Sequence, residues 1–387
     1  MLFFLKKLYR KFGMNSLSFF KFSRDSQKKY IDSLKIPNTA IEKSYNQYLC
    51  QKFLMNKLIV FIMNIISYFL IPIYEMNLLK NEKKYQICIE KCDAVFFTDG
   101  IGVDTLPKSL IQQYKKIKTI KFGEKIFISK EELAYFNNIK NWRKYPPYFR
   151  LKIILKAAMY FSAIKLYNPK AFFSYCESSF TSQIITEWLE NKSIKNINIM
   201  HGEKLYLIAD SFSSFSEFYV WDEHYKNLLI ELKADKNQFI VELPLKLNTV
   251  NKNHKKSYDS NNIYDITYYL SDEGEKELSN IAEILKKMNN YKIKIRMHPR
   301  GNNKQLVEKC FNDFFIEYPN DVSLVDSFDT TRYICSLNST VLFEGYLNGK
   351  EVIIDDISNK TKFEKQKDLE YIMFKKKHIL LSKMLME

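Results

Sequence analysis

The sequence predicts an α/β protein made of two domains, each with a parallel β-sheet. The main observation is a repeated pattern in which a short run, either apolar or alternating between polar and apolar residues, ends in a polar loop, and several of these loops open a helix. The runs at 171–176, 196–200, 266–270 and 293–297 follow this pattern. Repeated strand, loop and helix units are typical of parallel sheets with helical crossovers. At 387 residues the chain is also long enough for two hydrophobic cores.

The predicted elements fall into two groups, separated by a polar segment at 251–262. This segment has no apolar periodicity and predicts a linker. The first domain is predicted to cover residues 1–250, with a mostly helical, basic amino-terminal part followed by strands from residue 94 onward. The second is predicted to cover 263–387 and to end in a Lys-rich amphipathic helix or helix pair after residue 362.

The chain is basic, with a formal net charge of +16. Such a charge favours nucleic acid, an anionic membrane surface or anionic substrates as partners. A codon bias towards A and T also produces this composition, because Lys, Asn, Ile, Phe and Tyr are all abundant. The sequence contains no zinc knuckle or aromatic RNA-binding pattern, so no nucleic-acid partner is expected.

The cellular location is predicted from the cysteines and from one apolar run. The six cysteines are scattered and indicate free thiols in a reducing compartment. The run at 58–71 is shorter than the roughly 20 apolar residues that a membrane span requires. It therefore predicts a buried helix or one that lies on a membrane. We expect a cytoplasmic protein, with peripheral contact to the inner face of the cytoplasmic membrane if this helix lies on the bilayer.

In the second domain, polar residues follow two of the predicted strands. Asp272 and Glu273 come after the strand at 266–270, and His298 follows the strand at 293–297, directly before a proline. In open α/β sheets the carboxyl ends of the strands form the edge that binds ligands. A carboxylate there suits a general base, and an imidazole suits an acid for a departing phosphate. The alternatives are a helix cap at Asp272 and a histidine that only ends its strand.

A loop rich in hydroxyl groups opens a helix further along the chain and suits an anion site. Hydroxyls and free backbone N–H groups at a helix start bind phosphate, aided by the helix dipole. Glu344 lies one turn into this helix, where a carboxylate can meet ribose hydroxyls. The alternative is an ordinary polar loop with a helix cap. With the arginine that follows the His-Pro pair, the predicted donor-binding residues are Arg300, Ser336, Asn338, Ser339, Thr340 and Glu344.

Three polar junctions in the first domain are candidates for binding an acceptor across a cleft between the domains. They contain Asp99, Glu177 and Glu203, each after a predicted strand. His201 directly precedes the glycine of the third junction, and a glycine lets a ligand approach the backbone closely. Each junction is equally compatible with an ordinary turn.

Several other chemistries lack their motifs. The sequence has no Walker loop, no dinucleotide-binding glycine fingerprint, no His-Glu-x-x-His pattern and no nucleophile elbow. No Asp-x-Asp pair stands on an obvious loop to hold a metal diphosphate complex. We therefore expect a metal-independent reaction with no cofactor.

The three motifs of the second domain resemble those of bacterial sialyltransferases with the GT-B fold. That family carries an acidic pair followed by glycine, then a His-Pro pair, then a Ser-Ser/Thr pair. The matching residues in this chain are Asp272-Glu273-Gly274, His298-Pro299 and Ser339-Thr340, in the same order. The lipooligosaccharide branch is the most similar, because there an acidic residue after a strand precedes His-Pro-Arg. The resemblance covers roughly residues 264–345.

The resemblance implies a GT-B-like fold, with two Rossmann-like domains facing across a cleft. It also implies an inverting, metal-independent transfer of sialic acid from CMP-sialic acid to a cell-surface glycan, such as lipooligosaccharide or capsule, free or lipid-linked. Asp272 or Glu273 would deprotonate the acceptor, and His298 would stabilise the departing CMP phosphate. Ser339 and Thr340 would bind that phosphate. In some branches the acidic motif lies in the first domain instead, which keeps that domain's carboxylates as candidates for the base.

Two alternatives stay open. The chain also resembles CDP-glycerol glycerophosphotransferases of wall or capsule polymer synthesis, which combine His-Gly, His-Pro-Arg and a hydroxyl-rich loop. Here these are His201-Gly202, His298-Pro299-Arg300 and the Ser339 loop, and His201 would be the catalytic base. The other alternative is a membrane-peripheral scaffold without enzymatic activity. It predicts that the substitution His298→Ala leaves activity in cells intact.

Overall fold

The computed structural model describes residues 21–82, 90–98, 102–121, 123, 126–249, 263–299 and 303–386. These residues form two compact units. The first unit contains the described residues up to His201 together with Tyr206–Leu245, and the second contains Gly202–Leu205 and the described residues from Lys246 onward. The predicted linker at 251–262 and the basic segment 1–20 lie outside the described residues.

The first unit is built on a six-stranded parallel sheet with the strand order β2-β1-β3-β4-β5-β6. The strands are β1 (Ala94–Phe97), β2 (Ile117–Ile120), β3 (Ala171–Ser174), β4 (Lys195–Ile199), β5 (Glu217–Val220) and β6 (Phe239–Val241). The central strands β1 and β3 are buried along their whole length, since helices cover both faces of a parallel sheet. This explains why they appear in the sequence as continuous apolar runs rather than alternating ones.

The helices of the first unit precede and connect these strands. They are α1 (Arg24–Ser33), α2 (Ala40–Leu54), α3 (Lys57–Glu82), α4 (Lys108–Gln113), α5 (Lys130–Asn137), α6 (Pro147–Tyr167), α7 (Ser182–Glu190), α8 (Glu223–Glu231) and α9 (Leu245–Thr249), which runs into the second unit. Short 3-10 helices lie at Val103–Thr105, Trp142–Lys144, Ile208–Asp210 and Lys236–Gln238. The central helix α6 starts with a proline in its first turn and is followed by Asn168, which adopts the left-handed conformation.

Helix α3 differs from its prediction in length. The apolar run at 58–71 is part of a helix of 26 residues that continues through Pro72 to Glu82. Within the described part of the chain it is the one helix long and apolar enough to cross a membrane, and 28% of its most apolar window is buried. Core helices of soluble proteins and signal sequences also meet this criterion.

The second unit repeats the architecture with the strand order β12-β11-β10-β7-β8-β9, again all parallel. Its strands are β7 (Tyr264–Tyr269), β8 (Ile293–Arg296), β9 (Phe315–Glu317), β10 (Thr331–Ser336), β11 (Glu351–Ile354) and β12 (Ile379–Leu380). Its helices are α10 (Glu275–Lys286), α11 (Lys304–Cys310), α12 (Leu324–Asp329), α13 (Thr340–Leu347), α14 (Lys360–Asp368) and α15 (Leu381–Met384), with a 3-10 helix at Ile372–Lys375. The predicted α/β fold with two Rossmann-like units is confirmed.

The carboxyl-terminal tail corrects one expectation. A helix or helix pair was predicted there, but β12 extends the sheet by pairing in parallel with β11. With two residues, β12 is too short to produce a recognisable strand pattern.

Helix α13 packs closely on the sheet at Gly345. A Cβ atom at Gly345 would come within 2.0 Å of the Cδ1 atom of Ile334 on β10. The missing side chain therefore allows the close packing of α13 on β10. This packing fixes the position of the amino-terminal turn of α13, where the hydroxyl-rich loop ends.

Candidate functional site

A cleft of about 670 Å³ lies at the carboxyl ends of the strands of the second unit. The strand order places β10, β7 and β8 side by side, so the loops that follow them meet at one edge. Asp272 lines the cleft after β7, His298 after β8, and Asn338, Ser339 and Thr340 after β10. The structure thus brings together residues from all three predicted motifs.

The first turn of α13 is held from two directions. Ser339 caps the helix, and its Oγ accepts a hydrogen bond from the backbone N–H of Val341 at 3.3 Å. The hydroxyl of Tyr371 donates to the carbonyl of Ser339 at 3.1 Å, and Ser271 Oγ donates to the carbonyl of Asn338 at 2.5 Å. A fixed helix start that carries the hydroxyls of Ser339 and Thr340 at the cleft is suited to an anion such as phosphate.

The cleft wall contains a carboxylate opposed by a cation. Glu344 lines the cleft one turn into α13. Burial raises the pKa of Glu344, and the nearby Lys246 acts in the opposite direction. Lys246 lines the same cleft. A partly buried carboxylate there is positioned to accept hydrogen bonds from neutral hydroxyl groups.

The two adjacent acidic residues after β7 differ in their surroundings. Asp272 lines the cleft with its side chain 63% exposed, and its Oδ1 lies 3.9 Å from Nζ of Lys362. Glu273 is buried, does not line the cleft, and accepts a hydrogen bond from the backbone N–H of Ser271 at 2.7 Å. Burial is the main cause that raises the pKa of Glu273. Of the pair, Asp272 is therefore the residue that a ligand in the cleft can reach.

Two buried cations beneath this edge share one carboxylate. Lys294 Nζ lies 2.5 Å from Glu317 Oε2, and Arg296 Nη1 donates to Glu317 Oε1. Arg296 also lines the cleft and donates to the carbonyl of Val322 at 2.9 Å. Two positive charges and one negative charge leave an excess positive charge, which attracts anions to this edge.

The first unit contains a separate pair of titratable side chains at the ends of β3 and β4. His201 Nδ1 lies 3.3 Å from Oε1 of Glu177, whose side chain is 1% exposed. The other oxygen, Oε2, accepts a hydrogen bond from Asn198 Nδ2 at 3.2 Å. When Nδ1 donates to the buried carboxylate, Nε2 is free of hydrogen and can accept a proton. An imidazole oriented by a buried carboxylate in this way is the usual arrangement of a general base.

Aromatic packing and a backbone turn complete the surroundings of His201. Its ring lies 4.7 Å from the ring of Tyr175, whose hydroxyl is 2.5 Å from Thr105 Oγ1. Burial raises the pKa of Tyr175 to about 12, so its hydroxyl keeps its proton near neutral pH. Gly202 follows with a φ of 75°, a left-handed conformation that other residues rarely adopt.

The remaining predicted residues fall into three groups. Ser336 is buried, donates to the carbonyl of Tyr269 at 2.8 Å and does not line the cleft. Glu203 lines the cleft of the second unit rather than a site in the first. Asp99 and Arg300 lie outside the described residues.

Several cleft residues were not predicted as site residues from the sequence, among them Arg296, Gln366 and Tyr371. Arg296 alternates with apolar residues along β8, which is the pattern of a strand and does not by itself indicate a ligand-binding residue. Gln366 and Tyr371 lie in the Lys-rich tail, where the sequence gives no sign that their side chains are buried. Within the described ranges no three His, Cys, Asp or Glu side chains group as metal ligands. Whether the reaction is metal-independent stays a prediction.

Comparison with known proteins gave matches at the level of structure. No protein-family model and no curated protein matches the sequence. Among similar solved structures is the UDP-GlcNAc 2-epimerase from Neisseria meningitidis bound to UDP-GlcNAc, with 13% identity, coverage of 67% of this chain and 81% of that chain, and a TM-score of 0.43. The corresponding enzyme from Methanocaldococcus jannaschii has 13% identity, coverage of 71% and 91%, and a TM-score of 0.42.

A third similar structure is the wall teichoic acid polymerase TagF soaked with CDPG. It has 10% identity, coverage of 78% of this chain and 80% of that chain, and a TM-score of 0.40. These similarities concern the fold class. The evidence on the chemistry of this chain is the geometry of its own residues.

Proposed function

We propose that the protein is a transferase that uses a nucleotide-activated donor, and that this donor is CMP-sialic acid. One observation carries the proposal, namely that His298 and the capped first turn of α13 line a single cleft. The excess positive charge of Lys294 and Arg296 over Glu317 supports an anionic donor. CMP-sialic acid carries two anionic groups, a phosphate and a carboxylate. The motif resemblance to sialyltransferases supports this choice among nucleotide donors.

In the proposed reaction the cleft holds the CMP part of the donor. The phosphate binds at the first turn of α13, where Ser339 and Thr340 supply hydroxyls, and Glu344 accepts hydrogen bonds from the ribose. The acceptor hydroxyl loses its proton to a base, and its oxygen bonds to the anomeric carbon on the face opposite the phosphate. The bond from that carbon to the phosphate oxygen breaks, and CMP leaves with inversion. His298 donates a hydrogen bond or proton to the departing phosphate.

Two groups are candidates for the base, and we propose His201. The buried Glu177 orients its imidazole and stabilises the imidazolium that forms when it takes a proton. Asp272 is the alternative, because it is the accessible carboxylate of the acidic pair. Asp272 is 63% exposed, its Oδ1 lies 3.9 Å from Nζ of Lys362, and among the described residues no buried partner orients it as Glu177 orients His201.

A glycerophosphotransferase that uses CDP-glycerol is the second candidate function. The pairing of His201 with Glu177 favours this second function. In the glycerophosphotransferases that the chain resembles through His201-Gly202, the histidine of the His-Gly motif supplies the base. In that reaction the acceptor oxygen would attack phosphorus instead of carbon, and CMP would again leave.

A donor panel tests the proposal. Purified full-length protein is incubated with CMP-sialic acid, CDP-glycerol or UDP-GlcNAc and a glycan acceptor, with and without EDTA, and the nucleotide released is quantified by mass spectrometry. We expect CMP from CMP-sialic acid, at a rate that EDTA leaves unchanged. Turnover of CDP-glycerol alone would establish the second candidate. No turnover of any donor, together with full activity of His298→Ala in cells, would support a scaffold instead.

A further inference from the structure

Gln366 has an unusual environment for a polar residue. It lies on α14 with 1% of its surface exposed, and it lines the cleft. Neither its side-chain oxygen nor its side-chain nitrogen has a hydrogen-bond partner among the residues that the structure describes. A buried carboxamide without partners loses its hydrogen bonds to water and gains none in return, which costs free energy. A ligand that supplies both a donor and an acceptor would restore them.

The position of Gln366 indicates which part of a donor it can meet. Its backbone carbonyl accepts from the N–H of Tyr371 at 3.0 Å, and the hydroxyl of Tyr371 bonds to Ser339 at the start of α13. Gln366 follows β11, on one side of β10. Tyr269, at the end of β7 on the other side, lines the same cleft as Glu344; burial is the main cause that raises the pKa of its hydroxyl, and Glu344 adds to the increase.

These positions suit the two halves of a bound donor, which are the nucleoside and the transferred group. When the donor phosphate binds at the first turn of α13, the ribose of the donor lies toward Glu344 and Tyr269. The transferred group then lies toward Gln366. This division depends on the proposed function.

We propose that Gln366 determines donor specificity by binding an acetamido group on the transferred sugar. An acetamido group offers one N–H donor and one carbonyl acceptor, which match the carbonyl and the NH₂ group of a carboxamide. A carboxylate would leave the glutamine oxygen without a donor, and an ammonium would leave its nitrogen without an acceptor. Vicinal hydroxyls could also bond to both atoms, so the test must separate them from the acetamido group.

The test compares two donors that differ at one carbon. These are CMP-N-acetylneuraminate and its analogue with a hydroxyl in place of the acetamido group. For Gln366→Leu we expect kcat/KM on the acetamido donor to fall by about 10- to 100-fold, since a site built for hydrogen bonds discriminates strongly. On the hydroxyl analogue we expect a loss of less than about threefold. Gln305→Leu, at an exposed position on α11 outside the cleft, should change neither value.

Other outcomes would overturn the inference. Equal losses of kcat/KM on both donors would indicate a purely structural role for Gln366. An unchanged kcat/KM on both donors would show that Gln366 has no role in specificity. A larger loss on the hydroxyl analogue would identify the hydroxyl group as the ligand and overturn it as well. Binding of CMP alone, measured by calorimetry, should be unchanged in Gln366→Leu, which shows that the cleft is intact. If the wild-type protein releases no CMP from either donor, the proposed function itself fails.

A different observation concerns the exposed face of α3. We use the term apolar stripe for its exposed large hydrophobic residues, which are Leu58, Phe61, Ile62, Ile65, Tyr68, Phe69, Ile73 and Met76. They recur at helical spacing over a length of about 27 Å. The opposite face, including Val60, Met63 and Leu70, is buried, and α3 packs against α6. A continuous apolar surface of this kind marks a site of contact with a membrane or another protein.

The charges around the apolar stripe favour an anionic membrane. The stripe carries no charged residue, while Lys57 and Lys80 are exposed near its two ends. Arg150 lies close enough to Tyr68 to interact with it electrostatically and has Arg143 nearby, while Glu75 on α3 offsets part of the charge of Arg150. A second copy of the chain would bring the same cations, and the same net charge of +16, against each other. Since α3 packs against α6 on one face, lipid cannot surround it as it surrounds a spanning helix.

We infer that α3 lies in the plane of an anionic bilayer, with the apolar stripe inserted at the interface. Aromatic and aliphatic side chains then occupy the boundary between headgroups and acyl chains, and the flanking cations meet anionic headgroups.

Vesicle cosedimentation tests this inference on the full-length protein. We expect binding to phosphatidylcholine vesicles that contain about 30% phosphatidylglycerol, which is anionic. Binding to vesicles of pure phosphatidylcholine should be much weaker. The double substitution Phe61→Glu with Phe69→Glu should weaken binding by at least about tenfold. The matched control, Ile36→Glu with Met386→Glu, changes exposed apolar residues outside the stripe and should alter it less than about twofold. Absence of vesicle binding, or a dimer that only the first variant dissociates, would overturn the inference.

Discussion

Substitution of Glu317 by glutamine is expected to lower the free energy of unfolding of the second unit by about 3–5 kcal/mol. The carboxylate of Glu317 is the partner that Lys294 and Arg296 share, and all three side chains are buried. Glutamine is almost the same size but carries no charge, so both cations would be left without their counter-charge. Removing one member of a buried ion group costs much more than the group contributes to stability when complete.

The measurement must distinguish the two units. All three tryptophans, Trp142, Trp188 and Trp221, belong to the first unit. Tryptophan fluorescence in urea therefore follows that unit, while hydrogen–deuterium exchange of β8 and β9 follows the second. We expect faster exchange in β8 and β9 of Glu317→Gln.

A matched control uses an exposed ion pair of the same sheet. Glu351 Oε2 lies 3.7 Å from Nε of Arg332, and both side chains are about half exposed or more. Glu351→Gln should change stability by less than about 1 kcal/mol, because exposed ion pairs contribute little. Equal effects of the two substitutions would show that the buried carboxylate has no special role.

Substitution of His201 by asparagine is expected to reduce the rate of donor turnover by about 10²–10⁴-fold, the usual contribution of a general base. Asparagine can retain a hydrogen bond to Glu177 but cannot accept the acceptor's proton at neutral pH. Glu177→Gln should also reduce the rate strongly, because it removes the negative charge that stabilises the imidazolium. The measurement is a single-turnover rate at saturating donor and acceptor.

Two further variants decide between the candidate bases. Asp272→Asn should lower the rate far less than His201→Asn if His201 is the base. His224→Asn changes another histidine of the first unit, on α8, and should leave the rate within about twofold. A large loss in Asp272→Asn, with normal rates for His201→Asn and Glu177→Gln, would instead assign the base to the acidic motif after β7.

The part of this site that could be predicted from the sequence is the part that depends on strand order. Asp272 and His298 each follow a predicted strand, and parallel strands collect their following loops at one edge. The two sheets were predictable for the same reason. The Ser339 loop was predicted only as the start of a helix, and the structure adds β10 before it.

Features that depend on packing could not be predicted. Adjacent acidic residues look equivalent in a sequence, yet Asp272 is exposed in the cleft and Glu273 is buried. The burial of Gln366 depends on how α14 packs, and the Lys-rich sequence around it suggests a solvated helix. For α3 the sequence predicted either a buried helix or one that lies on a membrane, but it could not show which residues form the apolar stripe, because α3 is apolar on both its buried and its exposed face.

The parallel pairing of both sheets has a consequence for how the chain reaches its folded state. Parallel neighbours cannot be joined by a tight turn, so each strand pair forms only after a long crossover segment has closed. Contacts between residues far apart in sequence slow folding and prolong the time during which unpaired apolar strands are exposed. The fully buried strands β1 and β3 are then the segments most at risk of self-association during synthesis. Slow synthesis, low temperature and chaperones should therefore increase the yield of soluble protein.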